Sequence, residues 1–407
     1  MSESLARAAL TPSRHTAVDH FVYSPASSYP TPVARLVDRD GAELHTWSNA
    51  TAQPAQEGDP PSFLRGWNHV EVAADGCLFA TVPLQALLKL DRDSSVLWRA
   101  DVTAHHDLAV APDGAVHVLT EEPRRITVDG SPFTVLDNLV TVLGDDGRRL
   151  RDVSLYDALT TDPALRALVH DQVRGKDAAF RKAGVPLDEE TSGLLLSASH
   201  DGPPARALTL LRLLPGSPCD VLHTNTVEIL HAHPSGLWPD GALLVSMRNL
   251  DLIAAVAPDG SRVLWSWGPG TLSGQHQPTM APGGNVVVLD NGVNAARSRV
   301  LEIDPVRGVV VWEYRAEPPG SFFTPVAGGA EPLPGGSVLV TDATAGRVFE
   351  VARDGRVTWQ WRTRKEPGAT GTGRATLYRM AGIPDATVRR IGGRGPGIPG
   401  PAPDADA

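Results

Sequence analysis

The sequence predicts an all-β fold, and three observations carry the prediction. Short apolar runs alternate along most of the chain with Asp-Gly or Gly-Gly pairs: Asp40-Gly41, Asp75-Gly76, Asp113-Gly114, Asp146-Gly147, Asp240-Gly241, Asp259-Gly260, Gly283-Gly284, Gly335-Gly336 and Asp354-Gly355. Such pairs tolerate the positive φ that tight hairpin turns require. A tryptophan follows every second turn within a few residues, at Trp47, Trp98, Trp265, Trp312 and Trp359. The unit so defined (strand, turn, strand, connection, strand, turn, Trp-bearing strand) recurs every roughly 40 to 50 residues where nothing is inserted, the length of a four-stranded blade. Six units fit the chain, so the expected architecture is a six-bladed β-propeller, a ring of sheets around a channel.

The elements follow in order. Residues 1–30 are expected to be an N-terminal segment, partly loose, and residues 31–380 the propeller. The first unit is partial, with strands around Arg35 to Trp47. It needs strands from the other terminus, around ATLYRM (Ala375 to Met380), to close the ring. Five complete units begin near Gly66, Ala104, His223, Gly274 and Phe322. Between the third and fourth blades, residues from about 156 to 218 lose the alternation and contain helix formers such as DPALRALVHDQVRGKDAAFRKAG. They read as a helical insertion, which in a propeller maps to one face. Residues 381–407 are expected to be a disordered tail rich in Pro and Gly.

Composition narrows the function classes. Lys plus Arg number 37 and Asp plus Glu 47, so the net charge is −10, unlike the basic footprint of a nucleic-acid or acidic-membrane binder. Cys77 and Cys219 form no CxxC, which argues against a zinc cluster and leaves one distant disulfide open. The opening MSESLARAALTPSRH lacks the apolar core of a signal peptide, and no run reaches the roughly 18 apolar residues of a membrane helix. The expectation is a soluble cytoplasmic protein with no membrane or nucleic-acid partner; oligomeric state is not legible.

Polar residues converge at one rim. The innermost strand of each blade lines the channel and begins at one end, and the next, antiparallel strand returns to that end. The third blade opens with His105 and His106, the fourth with His223 and Asn225, and the fifth with His276. His106 and His276 both stand seven residues ahead of their turns, at Asp113 and Gly283, and Asn68 takes that offset in the second blade, next to His69. Returning strands end in Glu121 and Glu122, in Arg248 and Asn249, and in Asp290 and Asn291. Three imidazoles and a guanidinium should therefore meet. Neutral imidazole is a nucleophile near pH 7, its protonated form is a general acid, and Arg forks onto anions. Such a funnel suits a tetrahedral oxyanion, sulfate or phosphate.

HHD at 105–107, HTN at 223–225, SMR at 246–248, QH at 275–276, LDNG at 289–292, SRVLEID at 298–304, VVWEY at 310–314 and GRVFEV at 346–351 resemble the bacterial arylsulfate sulfotransferases. The resemblance runs from about Leu64 to Trp361 and is densest from His223 onward. It implies a six-bladed propeller that uses no nucleotide sulfate donor and no cofactor. It also implies ping-pong transfer of a sulfuryl group from an aryl sulfate donor to a phenolic acceptor. On that pattern His276 takes the sulfuryl group, while His106, His223 and Arg248 clamp its oxygens and assist the leaving phenolate. His105 is the alternative to His106, and Asn225, Asp290 and Asn291 would orient these side chains. The family's usual QHD is QHQ here, so Gln277 stands where an acid is expected.

Competing readings remain open for the other motifs. His231 and His233 form an HxH pair in a Pro/Gly loop without a third ligand in view, which reads as a loop rather than a metal site. Arg299 faces either the channel or an interblade ion pair. Asp38 and Asp40 read as a turn rather than a calcium site, and the tryptophans as blade packing rather than cofactor docking. The chain has no GxSxG and no phosphate loop. The alternatives to transfer are a non-catalytic propeller binding a small anion or a protein partner, and a histidine-dependent hydrolase or lyase.

Overall fold

The computed structural model describes residues 18–25, 32–48, 66–185, 191–193, 211–212, 214–364 and 374–392. Six four-stranded antiparallel sheets form the blades. The first contains β1 (His20–Pro25), β2 (Val33–Asp38) and β3 (Glu43–Ser48). The second contains β4 (Val70–Val72), β5 (Leu78–Val82), β6 (Ala86–Leu90) and β7 (Val96–Ala100). The third contains β8 (Ala104–Val110), β9 (Val116–Val128), β10 (Ser131–Leu143) and β11 (Arg149–Ser154). The fourth contains β12 (Thr224–Leu230), β13 (Ala242–Met247), β14 (Leu252–Val256) and β15 (Val263–Trp267). The fifth contains β16 (His276–Met280), β17 (Val286–Asp290), β18 (Arg299–Asp304) and β19 (Val309–Arg315). The sixth contains β20 (Gly329–Pro332), β21 (Val338–Asp342), β22 (Arg347–Val351) and β23 (Val357–Arg362). The last strand, β24 (Leu377–Gly382), pairs with β1 and becomes the innermost strand of the first blade. The protein is a six-bladed β-propeller closed by its C-terminal strand.

The ordered sheet extends further toward both termini than residues 31–380. β1 lies before residue 31, and helix α3 (Asp385–Ile391) follows β24 and packs Val388 and Ile391 into the core between the first two blades. The remainder of the expected loose start and tail, residues 1–17, 26–30 and 393–407, falls outside the described residues.

Strand composition follows position. The second strands β13, β17 and β21 are buried throughout, because a blade neighbour covers each face, and they read as continuous apolar runs. The outermost strands β7 and β19 are largely exposed. At four outer strands, β7, β15, β19 and β23, the recurrent tryptophan finds its purpose. Its indole N–H donates to a carbonyl in the turn between the third and fourth strands of the following blade. Trp98 bonds Asp145 O at 2.8 Å, Trp265 bonds Pro305 O at 3.1 Å, Trp312 bonds Arg353 O at 2.9 Å and Trp359 bonds Arg39 O at 3.0 Å. Arg39 and Arg353 lie over the rings of Trp359 and Trp312 and ion-pair with Glu350 and Glu302 of the preceding blade. The same latch thus joins four pairs of neighbouring blades, including the last blade with the first, whereas the Trp47 indole N–H is buried without such a partner among the described residues and β11 carries no tryptophan.

Between the third and fourth blades stand α1 (Leu155–Thr160) and α2 (Pro163–Ala183). Ser154 caps α1 by accepting from Asp157 N, and Asp162 caps α2 by accepting from Ala164 N and Leu165 N ahead of Pro163. Leu155, Ala158, Leu159, Val169 and Val173 bury this insertion against blades three and four. Residues 186–190, 194–210 and 213 of it lie outside the described residues. Cys77 and Cys219 are both free thiols.

The latch makes a testable demand on the Asp-Gly turns. Gly147 has φ +78° and its added methyl would stand 2.8 Å from the Trp98 ring, whereas Gly355, at φ +84°, has open space around it. Gly355→Ala should cost about 1–2 kcal/mol of left-handed strain. Gly147→Ala should cost roughly 1–3 kcal/mol more through the collision. Equal losses in denaturant unfolding would show that Trp98 does not brace this turn.

Candidate active site

Three adjacent innermost strands are irregular where they carry their polar residues. The β8–β9 register shifts between Ala104 and Leu108, the β12–β13 register between Thr224 and Thr226, and the β16–β17 register between His276 and Thr279. β4 and β20 pair without a break. His106, His223 and Gln277 adopt positive φ of 53°, 51° and 47°. Bulges re-aim side chains, and left-handed backbone in non-glycine residues persists only where the surroundings enforce it. Here the distortion brings His106 and His223 together, with His276 near enough for their charges to act on one another. The His106 and His223 ring centroids lie 4.9 Å apart and cross edge to face.

His276 is buried, and its neighbours settle its tautomer. Asn291 Nδ2 donates to Thr324 O at 2.6 Å and Ala327 O at 3.0 Å, so its amide orientation is determined. Asn291 Oδ1 therefore faces His276 Nδ1 at 2.8 Å, and Gly274 O lies 3.1 Å from the same nitrogen. Two acceptors require the proton on Nδ1 and leave the Nε2 lone pair free. Burial pushes the His276 pKa down to about 3, and the charges of Arg248 and His223 add to this against the raising effect of Asn291. Two further residues hold the strand entry. Gln275 Nε2 reaches Ser246 Oγ, Met247 O and Leu252 O, and Asp290 Oδ1 accepts from Ser273 N at 2.8 Å.

His223 Nδ1 stands 2.5 Å from Asp220 Oδ2. Burial alone would raise Asp220, but His223, Arg212 and Lys176 outweigh it and hold the carboxyl well below its usual range. His106 Nδ1 meets His105 Nδ1 at 2.8 Å. Burial pushes His106 well below its ordinary value and His105 down to about 4. Arg248 joins from a 3-10 turn whose backbone N–H bonds His223 O, and its guanidinium lies against Gly274.

The other sequence-predicted residues sort differently. Asn225 ties blades together by donating to Gln275 O at 2.8 Å, and its side chain makes no hydrogen bond to a histidine among the described residues. Arg299 pairs across the strands with Asp290 and Glu313, so it braces the blade instead of lining the channel. Asn68 sits at the mouth of β4, its N–H on Thr81 O, with His69 beside it engaged elsewhere. Gln277 turns away from the histidine rim. Its Oε1 lies where a methyl on Gly329 would stand, and its N–H donates to Thr226 Oγ1. His231 is exposed and His233 bonds Gly284 O, which is loop behaviour. Sequence reasoning missed Asp220, Arg212, Gln275 and Tyr378, the last with its ring 6.3 Å from His106 and its hydroxyl on Asn225 O.

Residues 215–364 match the family described as arylsulfotransferase (ASST). The match covers less than half of the chain, so the similarity to that family is established for this segment. The match spans blades four to six, with His223, Arg248 and His276 inside it and His106 and β24 outside. No curated protein matches the chain. Among solved structures, the chain is similar to a protein of unknown function from Bacteroides caccae, with 12% identity, 89% of this chain and 98% of that one covered, and a TM-score of 0.47. It is also similar to a catalytically inactive virginiamycin B lyase from Staphylococcus aureus with quinupristin, with 10% identity, coverage of 85% and 86%, and a TM-score of 0.42. No helix among the described residues is long and apolar enough to cross a membrane.

Further along the channel lies a cavity of about 370 Å³ lined by Glu71, Glu228, Glu331, His69, Arg379 and Gln277, among others. The glutamates come from alternate blades, and each accepts a backbone N–H from the innermost strand of the next: Val110, Met280 and Gly382. Arg379 bonds His69 Nε2 at 2.9 Å and Asp107 Oδ2 at 3.4 Å. Burial pushes all three glutamates up to about 7. A raised carboxyl pKa means that folding favours the protonated form. Its stabilisation is complete below the unfolded pKa of about 4.3 and is lost as pH rises through about 7. Each Glu→Gln variant should therefore melt higher than the parent at pH 8 and close to it at pH 5. Identical pH slopes in parent and variants would contradict the assignment.

Proposed function

We propose that the protein transfers a sulfuryl group from an aryl sulfate ester to a phenol through a covalent intermediate on His276. The observation that supports this reading most is the buried imidazole of His276, its Nδ1 held by two acceptors so that Nε2 keeps its lone pair, within electrostatic reach of His223, His106 and Arg248. In the first half-reaction His276 Nε2 bonds the sulfur as the bond from sulfur to the aryl oxygen breaks. The departing oxygen takes a proton from His223 Nε2, whose Nδ1 is held by Asp220. Asn291 Oδ1 and Gly274 O accept the Nδ1–H as the ring gains positive charge. Arg248 neutralises the equatorial oxygens, and His106 donates to them or orders the entering group. In the second half-reaction a phenol gives its proton back to His223 and attacks sulfur, restoring His276. No nucleotide donor takes part.

Incubation with an aryl sulfate chromogen, with and without a phenol acceptor, tests the proposal. Acceptor-dependent release and a sulfuryl adduct on the His276 peptide are expected. His276→Ala should lose at least about 10³-fold in rate. His223→Gln should slow esters of weakly acidic phenols far more than nitrophenyl esters, because only the former need the proton. Release without an acceptor would indicate a hydrolase. Full activity of His276→Ala, or no turnover by the folded parent, would remove the transfer reading.

A further inference from the structure

Resting on the transfer reading, we infer that Arg212, supplied by the helical insertion, is a positioning residue that links the two histidines flanking the nucleophile. Its guanidinium grips Glu121 with both arms, Nε to Oε1 at 2.5 Å and Nη2 to Oε2 at 2.6 Å. Its Nη1 stands 3.8 Å from Asp220 Oδ2, the oxygen that receives His223 Nδ1. On the other side, Glu121 Oε2 lies 3.8 Å from His105 Nε2, and His105 meets His106 ring to ring. The contact of His106 with His223 closes the circuit. Glu121 is fully buried, and Asp220 nearly so.

The charge balance gives Arg212 its effect. Two buried carboxylates carry two negative charges, and Arg212 offsets one. The negative charge left on Asp220 lies directly against His223 Nδ1. Without the guanidinium, Glu121 would draw a second proton onto His105 and disturb its bond to His106. The charged groups facing His223 are Asp220 in its own loop, Arg212 and Lys176 from the insertion, His105 and His106 from β8, Arg248 after β13 and His276 from β16. Lys176 is tied to Ser217 O and does not reach Glu121 through any hydrogen bond among the described residues.

The test compares Arg212→Met, Arg212→Lys and Glu121→Gln by histidine ¹⁵N NMR titration and by the pH dependence of kcat. Removing a cation favours protonated imidazole, so in Arg212→Met the His223 titration and the basic limb of kcat should both move to higher pH. The kcat should fall roughly tenfold or more with KM little changed. Arg212→Lys should return the titration toward the parent. Glu121→Gln removes a carboxylate and should shift it the opposite way, which keeps the test usable if Arg212→Met folds poorly. Unmoved titrations in folded Arg212→Met and Glu121→Gln would overturn the inference. The NMR readout needs no turnover, so it stands apart from failure of the transfer reading itself.

Discussion

Pairing of β24 with β1 is the contact on which the site depends. It converts a row of blades into a closed ring, and only a closed ring brings strands separated by more than a hundred residues to one rim. Closure is reinforced where the sixth blade meets the first: Trp359 bonds Arg39 O and Arg39 ion-pairs with Glu350. β24 also carries Tyr378 and Arg379 into the channel, so the closing strand contributes chemistry as well as geometry.

Within the ring, local strain serves the site. Regular antiparallel strands would alternate side chains between faces and leave the histidines pointing into blade interfaces. The bulges in β8, β12 and β16, with left-handed backbone at His106, His223 and Gln277, break that alternation. The conformational cost is offset by hydrogen bonds at and beside the distorted residues: Val227 N to Asp107, Gln277 N to Thr226 and Asn225 to Gln275 O. The same side chains tie neighbouring blades, so the site and the blade interfaces share one network.

Much of this was legible in the sequence because it follows from local rules. Asp-Gly pairs announce hairpins, and tryptophans at a fixed place in five of the six units announce the outer strand. The incomplete first unit announced that the chain's other end must supply a strand. β1 was missed because a short apolar run around Phe21 to Tyr23 followed by Pro25 lacks a turn signal of its own. Arg299 was ambiguous by motif, yet its direct cross-strand position opposite Asp290 makes an ion pair the natural outcome. Asp220 and Arg212 lie in or beside an insertion without periodicity, so nothing in their spacing indicates that Arg212 folds back onto Glu121. Gln277 looked like a substituted acid at the rim, but the bulge that aims His276 inward sends the next side chain to the other chamber.

The account's central claim is that His276 is a neutral base with its proton on Nδ1, held there by Asn291 and Gly274. Long-range ¹H–¹⁵N correlation spectra of the His276 ring test it most directly. The account predicts a protonated Nδ1 and a bare Nε2 that persist as pH is lowered through the ordinary histidine range toward pH 4. A proton on Nε2, or a doubly protonated ring near pH 6, would contradict it.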